Sequence, residues 1–329
     1  MMRTGIHATR TVTAEALKTA IAALIVAGIA PAKAQQQSYP AQRVQILVPF
    51  SAGTVLDSLA RVAADRFSAE FGQPVVVVNR PGASGTIAFG EVAAAHDGYT
   101  LMFAGQTQLT VQPLLKADLP YRIDDIEPVC QMFETPFALV VGPNSPFHDL
   151  PQFIAHARAN PGSIRFGHSG VAATPHLLGT LLARAAGVRL ADIPYRALGD
   201  QIKDVIGGTI DAAIFSIGSF SPESVRAIAV FNRKRSAIFP DVPTVAERGY
   251  ALPFRSINGL FAPRGLPAAV TERLQGACAR AFASEEFTAA AARLNVNAEL
   301  VTGSDFAGRL DDERREMKTL VEALDLKAQ

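Results

Sequence analysis

The sequence predicts an α/β protein with two lobes, mainly parallel sheets and a cleft between the lobes. Its 329 residues exceed what one hydrophobic core usually serves, so two lobes are expected. Strand-like and helix-like apolar patterns alternate in two successive series, which is typical of βαβ units. Hydrophobic residues make up 49% and charged residues 19% of the chain, as in folded globular proteins.

The N-terminal 34 residues have the layout of a secretory signal peptide. Basic residues precede an uncharged apolar run over residues 19–32, and Ala32-Lys33-Ala34 provides the small residues of an A-x-A cleavage site. We therefore expect cleavage after Ala34 and export to the periplasm. The run is short for a stable membrane span, so no permanent membrane anchor is expected, although an uncleaved N-terminal anchor is the alternative.

The first strand and helix series begins with a β-rich run at residues 44–50. Ser51-Ala52-Gly53 interrupts this run, and apolar residues from Leu56 to Phe67 then recur at helical spacing. The next expected elements are a strand at residues 75–78, a Gly-rich turn at 82–85, a helix ending at Ala95 and a strand at 101–104. Right-handed crossovers place helices on both faces of such a sheet.

The second series begins after an apolar run at residues 138–141. Strands are expected at residues 164–166, 193–195, 212–215 and 227–230, with helices at 150–159, 176–186 and 198–206. A last strand is expected at residues 258–262, with only helices after it. We therefore place the first lobe at residues 39–141 plus 255–329 and the second lobe at residues 142–254.

Composition argues against several classes of function. The formal net charge of +1 provides no field that attracts phosphate backbones or anionic lipid, so no nucleic-acid partner is expected. The six histidines and two cysteines show no metal-binding spacing, and no nucleotide-binding motif occurs in place, so we expect no metal and no cofactor. Export permits a disulfide, but the apolar surroundings of Cys130 and Cys278 favour two buried free thiols.

Two junctions between a strand and the following helix are candidate binding sites. The first is VPFSAGTVLD at residues 48–57, and the second is RFGHSGVAATPH at residues 165–176. Ligands of open α/β sheets bind beyond the C-terminal ends of strands, where free N–H groups and the helix dipole favour an anion. Either junction alone is equally well an ordinary βα turn. One junction in each lobe, however, predicts a cleft with hydrogen-bond donors on both walls.

Two side chains in these junctions have alternative interpretations. Asp57 is suited to cap its helix by accepting a first-turn N–H, and also to pair with a ligand ammonium group or hold a water molecule. His176 is suited to donate to an anion, or to be a structural histidine. Both pairs of alternatives stay open at this level.

A serine hydrolase is the competing function, because Gly167-His168-Ser169-Gly170 superficially resembles a nucleophile turn. The nucleophile elbow needs G-x-S-x-G, and Val171 stands where its last glycine belongs. Gly82-Ala83-Ser84-Gly85 departs from the motif in a similar way. A triad assembled from residues distant in sequence remains an alternative.

An ordered set of short motifs runs through nearly the whole chain after the leader. The set comprises Tyr39-Pro40, VPFSAG at residues 48–53, Asp57, Ala60-Arg61, NRPGASG at 79–85, DGYTL at 97–101, Leu119-Pro120-Tyr121, Pro194-Tyr195, Ile206-Gly207-Gly208 with Asp211, and PDVPTVAE at 240–247. In this order the motifs resemble those of the Bug-type receptors, the solute-binding proteins of tripartite tricarboxylate transport systems.

The resemblance implies a type II periplasmic binding protein whose two lobes close around a carboxylic acid, largely through backbone amides and ordered water. Carried over by position, it implies ligand-binding residues in both junctions, with Tyr195 nearby: Ser51, Ala52, Gly53 and Asp57 in the first lobe, and Ser169, Gly170, Ala173, Thr174 and His176 in the second.

The chain departs from the family pattern within both loops. Ser51, Thr54-Val55 and Leu56 replace a proline, a glycine pair and a threonine, while Ala172-Ala173 and Ser216 replace Gly-Ser and an acid. Bulkier side chains in the first loop narrow the space and favour an apolar or aromatic acid.

We therefore predict a receptor and not an enzyme. Its ligand is expected to be a small carboxylate that favours the closed form by contacting both walls. The expected membrane partners are the permease subunits of a tripartite transporter. A ligand sensor that signals without transport would carry the same sequence features, so this alternative stays open.

Overall fold

The computed structural model describes residues 39–323 except 172, 233, 251 and 253. The chain from Tyr39 onward forms one compact unit. The predicted signal peptide over residues 1–34, with its cleavage site after Ala34, lies outside the described residues. None of the helices described is long and apolar enough to cross a membrane.

Strands and helices alternate along most of this unit. In chain order they are β1 (Val44–Val48), α1 (Val55–Phe71), β2 (Val75–Asn79), α2 (Thr86–Ala94), β3 (Thr100–Gly105), α3 (Thr107–Thr110), α4 (Gln112–Leu115), β4 (Ile126–Glu134), β5 (Phe137–Val141), α5 (Leu150–Ala159), β6 (Arg165–His168), α6 (Thr174–Ala186), β7 (Ala191–Pro194), α7 (Leu198–Gly207), β8 (Ala212–Ser216), β9 (Arg226–Phe231), β10 (Ile257–Pro263), α8 (Ala268–Phe282), α9 (Glu285–Arg293), β11 (Asn297–Thr302) and α10 (Gly303–Ala323).

The strands form two sheets. The first has the order β11-β4-β10-β3-β1-β2 and the second the order β7-β6-β8-β5-β9. β1 pairs in parallel with β2 and β3, and β6 pairs in parallel with β7 and β8. The other pairings between these named strands are antiparallel. The predicted α/β class is confirmed, but the sheets are mixed rather than mainly parallel.

Two strands of the first sheet were not predicted from the sequence. β4 has Pro128, Gln131 and two glutamates in its run, so it lacks the β-rich apolar pattern of β1. β11 is a short edge strand with a largely polar sequence, NAELVT. Its presence contradicts the expectation that only helices follow residues 258–262.

We call the first sheet with its helices the first lobe, and the second sheet with its helices the second lobe. β5 pairs with β8 and β9, so the chain enters the second lobe between Glu134 and Phe137. The sequence had assigned residues up to 141 to the first lobe. The chain returns to the first sheet before Ile257.

Helices cover both faces of each sheet. In the first lobe, α1, α8 and α9 place Phe67, Leu274 and Phe287 in one core, while α2 and α10 place Phe89 and Phe306 in the other. In the second lobe, α5 and α6 pack on one face and α7 on the opposite face. The apolar residues from Leu56 to Phe67 that recur at helical spacing thus lie on the face of α1 that packs on the sheet.

Cys130 in β4 and Cys278 in α8 form a disulfide, with their Cα atoms 6.6 Å apart. This finding corrects the expectation of two free thiols. The cysteines are 148 residues apart in sequence, so only the packing of α8 on β4 brings them within bonding reach.

Candidate functional site

A cavity of about 130 Å³, partly open to solvent, lies between the two lobes. The first lobe lines it with Phe50, Thr54, Val55, Leu56, Gly105, Gln108, Ser256 and Asn258, and Thr135 lies at the crossing. The second lobe lines it with Phe137, Ser169, Thr174, Pro175, Leu198, Gln201, Ile214, Phe215, Ser216 and Ser219. Residues from both predicted junctions therefore share one cavity.

The chain passes between the lobes twice, and these two crossing segments are hydrogen-bonded to each other beside this cavity. The Thr135 amide donates to the Ser256 carbonyl at 2.9 Å. The Asn258 side-chain amide donates to Thr135 Oγ1 at 2.9 Å and to the Ser256 carbonyl at 2.7 Å. Asn258 thereby joins the crossings while it lines the cavity.

The first junction is held by hydrogen bonds around the start of α1. Gly53 has a φ of 84°, which a glycine adopts without strain. Thr54 caps the helix by accepting from the Asp57 amide at 3.2 Å, and Asp57 Oδ2 accepts from the Gly53 amide at 3.0 Å. These two bonds fix the turn that carries Thr54, Val55 and Leu56 into the cavity wall.

Asp57 is buried, and both of its carboxylate oxygens are occupied by protein donors. Arg61 donates to both oxygens, and the Asn79 side chain donates to Oδ1 at 2.9 Å. Burial alone would raise the pKa of Asp57, but hydrogen bonds from Arg61, Gly53 and Asn79 hold the pKa below its ordinary value. Asp57 therefore organises the junction as a permanent anion.

The residues of the first junction that line the cavity differ from those predicted. Ser51, Ala52, Gly53 and Asp57 are not among the lining residues, whereas Phe50, Thr54, Val55 and Leu56 are. The sequence comparison had singled out Thr54, Val55 and Leu56 as departures from the family pattern. These departures therefore alter the wall of the cavity itself.

In the second junction, Ser169 and Thr174, two of the residues named from the sequence, line the cavity, and so does Pro175. Gly170 has a φ of 111°, and its amide donates to His168 Nδ1 at 3.2 Å. Ala173 is fully buried at the start of α6. Ala172, one of the noted departures, lies outside the described residues.

His176 and Tyr195 are not among the lining residues. The His176 ring lies against His168, with ring centres 4.5 Å apart, and Tyr195 donates its hydroxyl to Asp204 at 2.6 Å. Burial, together with the neighbouring His168, lowers the pKa of His176 to about 4. The His176 ring is therefore neutral at pH 7 and carries no charge for an anion.

The lobes also contact each other directly. Thr107 and Thr174 share a hydrogen bond between their hydroxyls at 2.9 Å. Ser84 donates its hydroxyl to the Val171 carbonyl in the second junction. The cavity wall and the contact between the lobes thus meet at the same loop.

Sequence reasoning missed Gln108, Gln201 and Asn258, which line the cavity although they are almost fully buried. For Gln201 a signal existed, because it shares the face of α7 that carries Leu198 and Val205. A polar residue at an apolar position of a helix is a sign of a special role. No comparable local signal marked Gln108 or Asn258.

Within the described part of the chain, the residues that line the cavity are all uncharged. Its polar groups are hydroxyls, side-chain amides and backbone, and its apolar wall is formed by Phe50, Phe137, Leu198, Ile214 and Phe215, among others. Such a site can hold an anion with neutral donors and an apolar body by burial.

A model of the tripartite tricarboxylate transporter family receptor (TctC) matches residues 59–326, most of the chain. The chain belongs to this receptor family. The resemblance deduced from the motifs is thereby confirmed. The family is one of periplasmic solute-binding proteins, so the chain is a solute receptor of the periplasm.

Relatives and solved structures agree with this assignment. A UPF0065 protein of Bordetella bronchiseptica is 34% identical over 318 residues, covering 94% of each chain. The periplasmic binding protein BugD is 26% identical with a TM-score of 0.81, covering 88% of this chain and all of BugD.

Two similar structures contain carboxylates. Rpa4515 of R. palustris with adipate is 26% identical with a TM-score of 0.82, covering 88% of this chain and 100% of that chain. MatC of Rhodopseudomonas palustris with bound malate is 26% identical with a TM-score of 0.77, covering 87% of this chain and 100% of that chain.

Ser84, one of the serines considered as nucleophiles, donates its hydroxyl to the carbonyl of Val171. The ring nitrogen Nδ1 of His168, the residue before Ser169, accepts from the Gly170 amide. These contacts give both segments a role in joining and shaping the two walls of the receptor.

Proposed function

We propose that this receptor binds a small carboxylate with an apolar body between its lobes and delivers it to the permease subunits of a tripartite tricarboxylate transporter. One observation carries the proposal: both lobes line one cavity in which uncharged donors lie beside apolar side chains. A ligand that contacts both walls stabilises the closed form through contacts that the open form lacks.

The donors proposed for the carboxylate are the hydroxyls of Ser169 and Thr174, both of which line the cavity. The cavity-lining residues include neither Arg nor Lys, so a second or third carboxylate would be desolvated without a counter-charge among them. This favours a monocarboxylate over a tricarboxylate. The other predicted residues, Ser51 to Gly53, Asp57, Gly170, Ala173, His176 and Tyr195, are proposed to shape the junctions or to act through ordered water.

The apolar wall supports the proposed body of the ligand. Val55 and Leu56 stand at the start of α1, and Leu198, Ile214 and Phe215 come from the second lobe. Burial of apolar surface contributes about 25 cal/mol per Å². A hexanoate-sized chain or a phenyl ring therefore gains affinity here that a hydroxylated acid does not.

Thermal unfolding of the purified receptor with a panel of acids tests the ligand class. Hexanoate and phenylacetate are expected to stabilise more than malate or citrate, and a ligand at ~100 times its Kd adds about 2.7 kcal/mol. Hexanamide and phenylacetamide are the matched neutral controls and are expected to give no shift. Absence of a shift with every acid would contradict the receptor proposal. A larger shift with citrate would contradict only the apolar body.

A substitution in the first junction tests which wall selects the ligand. Leu56→Thr removes apolar surface from the cavity wall, so the affinity ratio of hexanoate to malate is expected to fall about tenfold. Val76→Thr, at an exposed position of the same lobe, is the control and should leave the ratio unchanged. An unchanged ratio in the Leu56 variant would mean that another wall sets the preference.

Delivery to a permease is tested in cells. Deletion of the gene is expected to abolish uptake of the labelled ligand, whereas a sensor would leave uptake intact and change gene expression. Incubation of ligand with the receptor is expected to return it chemically unchanged. Turnover would favour the hydrolase alternative.

A further inference from the structure

A cluster of potential metal ligands lies behind the second junction. His168 at the end of β6, His176 in the first turn of α6 and Asp192 in β7 each offer a ligand atom, and these atoms lie within 4.8 Å of one another. The shortest recorded approach is His176 Nε2 to Asp192 Oδ2, at 4.0 Å. None of the three residues lines the cavity between the lobes.

The sheet explains why these residues meet. β6 and β7 pair in parallel, with Phe166 opposite Asp192. Residues two apart in a strand point to the same face, so His168, Phe166 and Asp192 share the face on which α6 packs. The cluster therefore connects three elements, although its members are up to 24 positions apart in sequence.

The ring nitrogen Nε2 of His168 independently indicates that a ligand is missing from this cluster. Its side chain is fully buried, and Nε2 has no hydrogen-bond partner among the described residues. A buried nitrogen without a partner is unfavourable, and native proteins usually provide one. Nδ1 is directed to the Gly170 amide, which leaves Nε2 as the nitrogen available to a ligand.

We propose that His168, His176 and Asp192 bind one divalent transition-metal ion of the Zn²⁺ type, with a fourth position open to water. Two imidazoles and a carboxylate are a ligand set that such ions favour. Ligand bonds of about 2.0–2.2 Å require the three atoms to move closer together, and Asp192 is half exposed and free to adjust. Spacing in sequence did not predict this site because the ligands come from separate elements.

Binding requires one change of tautomer. When Nε2 binds the ion, the ring proton resides on Nδ1, so the 3.2 Å hydrogen bond from the Gly170 amide is given up. The ion then ties the end of β6 to the start of α6, the two ends of the loop that carries Ser169. The metal thus has a positioning role for the second wall of the cavity.

Titration of tag-free, chelator-treated protein with Co²⁺ and Zn²⁺ tests the site, without any carboxylic acid present. One equivalent is expected to bind, with a visible Co²⁺ spectrum of nitrogen and oxygen ligation that Zn²⁺ abolishes. Binding of less than one equivalent, or a spectrum of hydrated Co²⁺ only, would overturn the proposal.

Variants locate the ion. Asp192→Asn is at a half-exposed position where folding should be preserved, and it is expected to lower metal affinity at least ~10-fold. His168→Ala is expected to abolish binding, and its melting temperature reports whether it folds. His148→Ala and Asp200→Asn, both at exposed positions of the second lobe, are the matched controls. If these controls weaken binding as much as Asp192→Asn does, the proposal fails.

Discussion

Asp57 shows how a single side chain determines the geometry of the candidate site. Its two oxygens accept hydrogen bonds from the Gly53 amide, Arg61 and Asn79, and its own amide donates to the hydroxyl of Thr54. The motif residues Gly53, Arg61 and Asn79 belong to this network rather than to the cavity surface. A residue singled out by a motif can therefore shape a cavity wall through backbone geometry.

Replacement of Asp57 tests this role. Asp57→Ala leaves the Gly53 amide and the Asn79 side chain without their acceptor, so the free energy of unfolding is expected to fall by about 1–3 kcal/mol. Ligand affinity should fall as well, since Thr54 to Leu56 lose their fixed position. Urea unfolding and ligand titration measure the two effects. Asp65→Ala, an exposed position of α1, is the control, and an equal loss there would exclude a specific network.

At the scale of elements, α10 joins the C-terminal part of the chain to the crossing between the lobes. Glu313 is buried in this helix, and one of its oxygens accepts from the Arg255 amide at 3.2 Å. Burial raises the pKa of Glu313 to about 7, against the opposing effect of that hydrogen bond. Glu134 and Glu316 add to the increase, and the Arg255 charge reduces it.

The raised pKa predicts a pH dependence of stability. Between the ordinary glutamate pKa and about 7, the folded protein holds a proton at Glu313 that the unfolded chain has released. The stability that Glu313 contributes is therefore greatest below the ordinary glutamate pKa. It decreases as pH rises from that pKa to about 7 and changes no further above pH 7.

Glu313→Gln tests this dependence because glutamine keeps an oxygen that can accept from Arg255. The free energy of unfolding of the variant minus that of the wild type is expected to be larger at pH 8 than at pH 5. Urea unfolding at both pH values measures this difference. Glu322→Gln, at an exposed position of the same helix, should show no such change. An equal difference between variant and wild type at both pH values would contradict the assignment.

At the scale of the whole molecule, two kinds of connection hold the chain together. Within the first lobe, the disulfide links β4 to α8. Between the lobes, an apolar cluster of Val111, Leu177, Leu181 and Met317 joins α6 to α10 and the end of α3. The hydrogen-bonded crossings beside the cavity join the lobes as well.

Removal of the disulfide is expected to destabilise the fold without changing the site. A double Cys130→Ala and Cys278→Ala variant loses a cross-link over 148 residues, which the chain-entropy model values at about 4–5 kcal/mol. Guanidinium unfolding with and without a reducing agent measures the loss. The wild type should respond to the reductant and the variant should not. Ligand affinity reduced to a similar degree would contradict a purely structural role.

The sequence by itself determined the α/β class, the receptor family and the two junctions, because apolar periodicity and turn residues are local and the motifs follow in a fixed order. Phe50, Thr54 and Ser169 lie at the cavity because each junction ends a strand predicted from such a pattern. Tertiary structure alone decided that β4 and β11 complete the first sheet, that Cys130 meets Cys278, and that Gln108 and Asn258 line the cavity. These features depend on which distant segments pack together, and a pattern within ten or twenty residues carries no information about the partner across a sheet or a cleft.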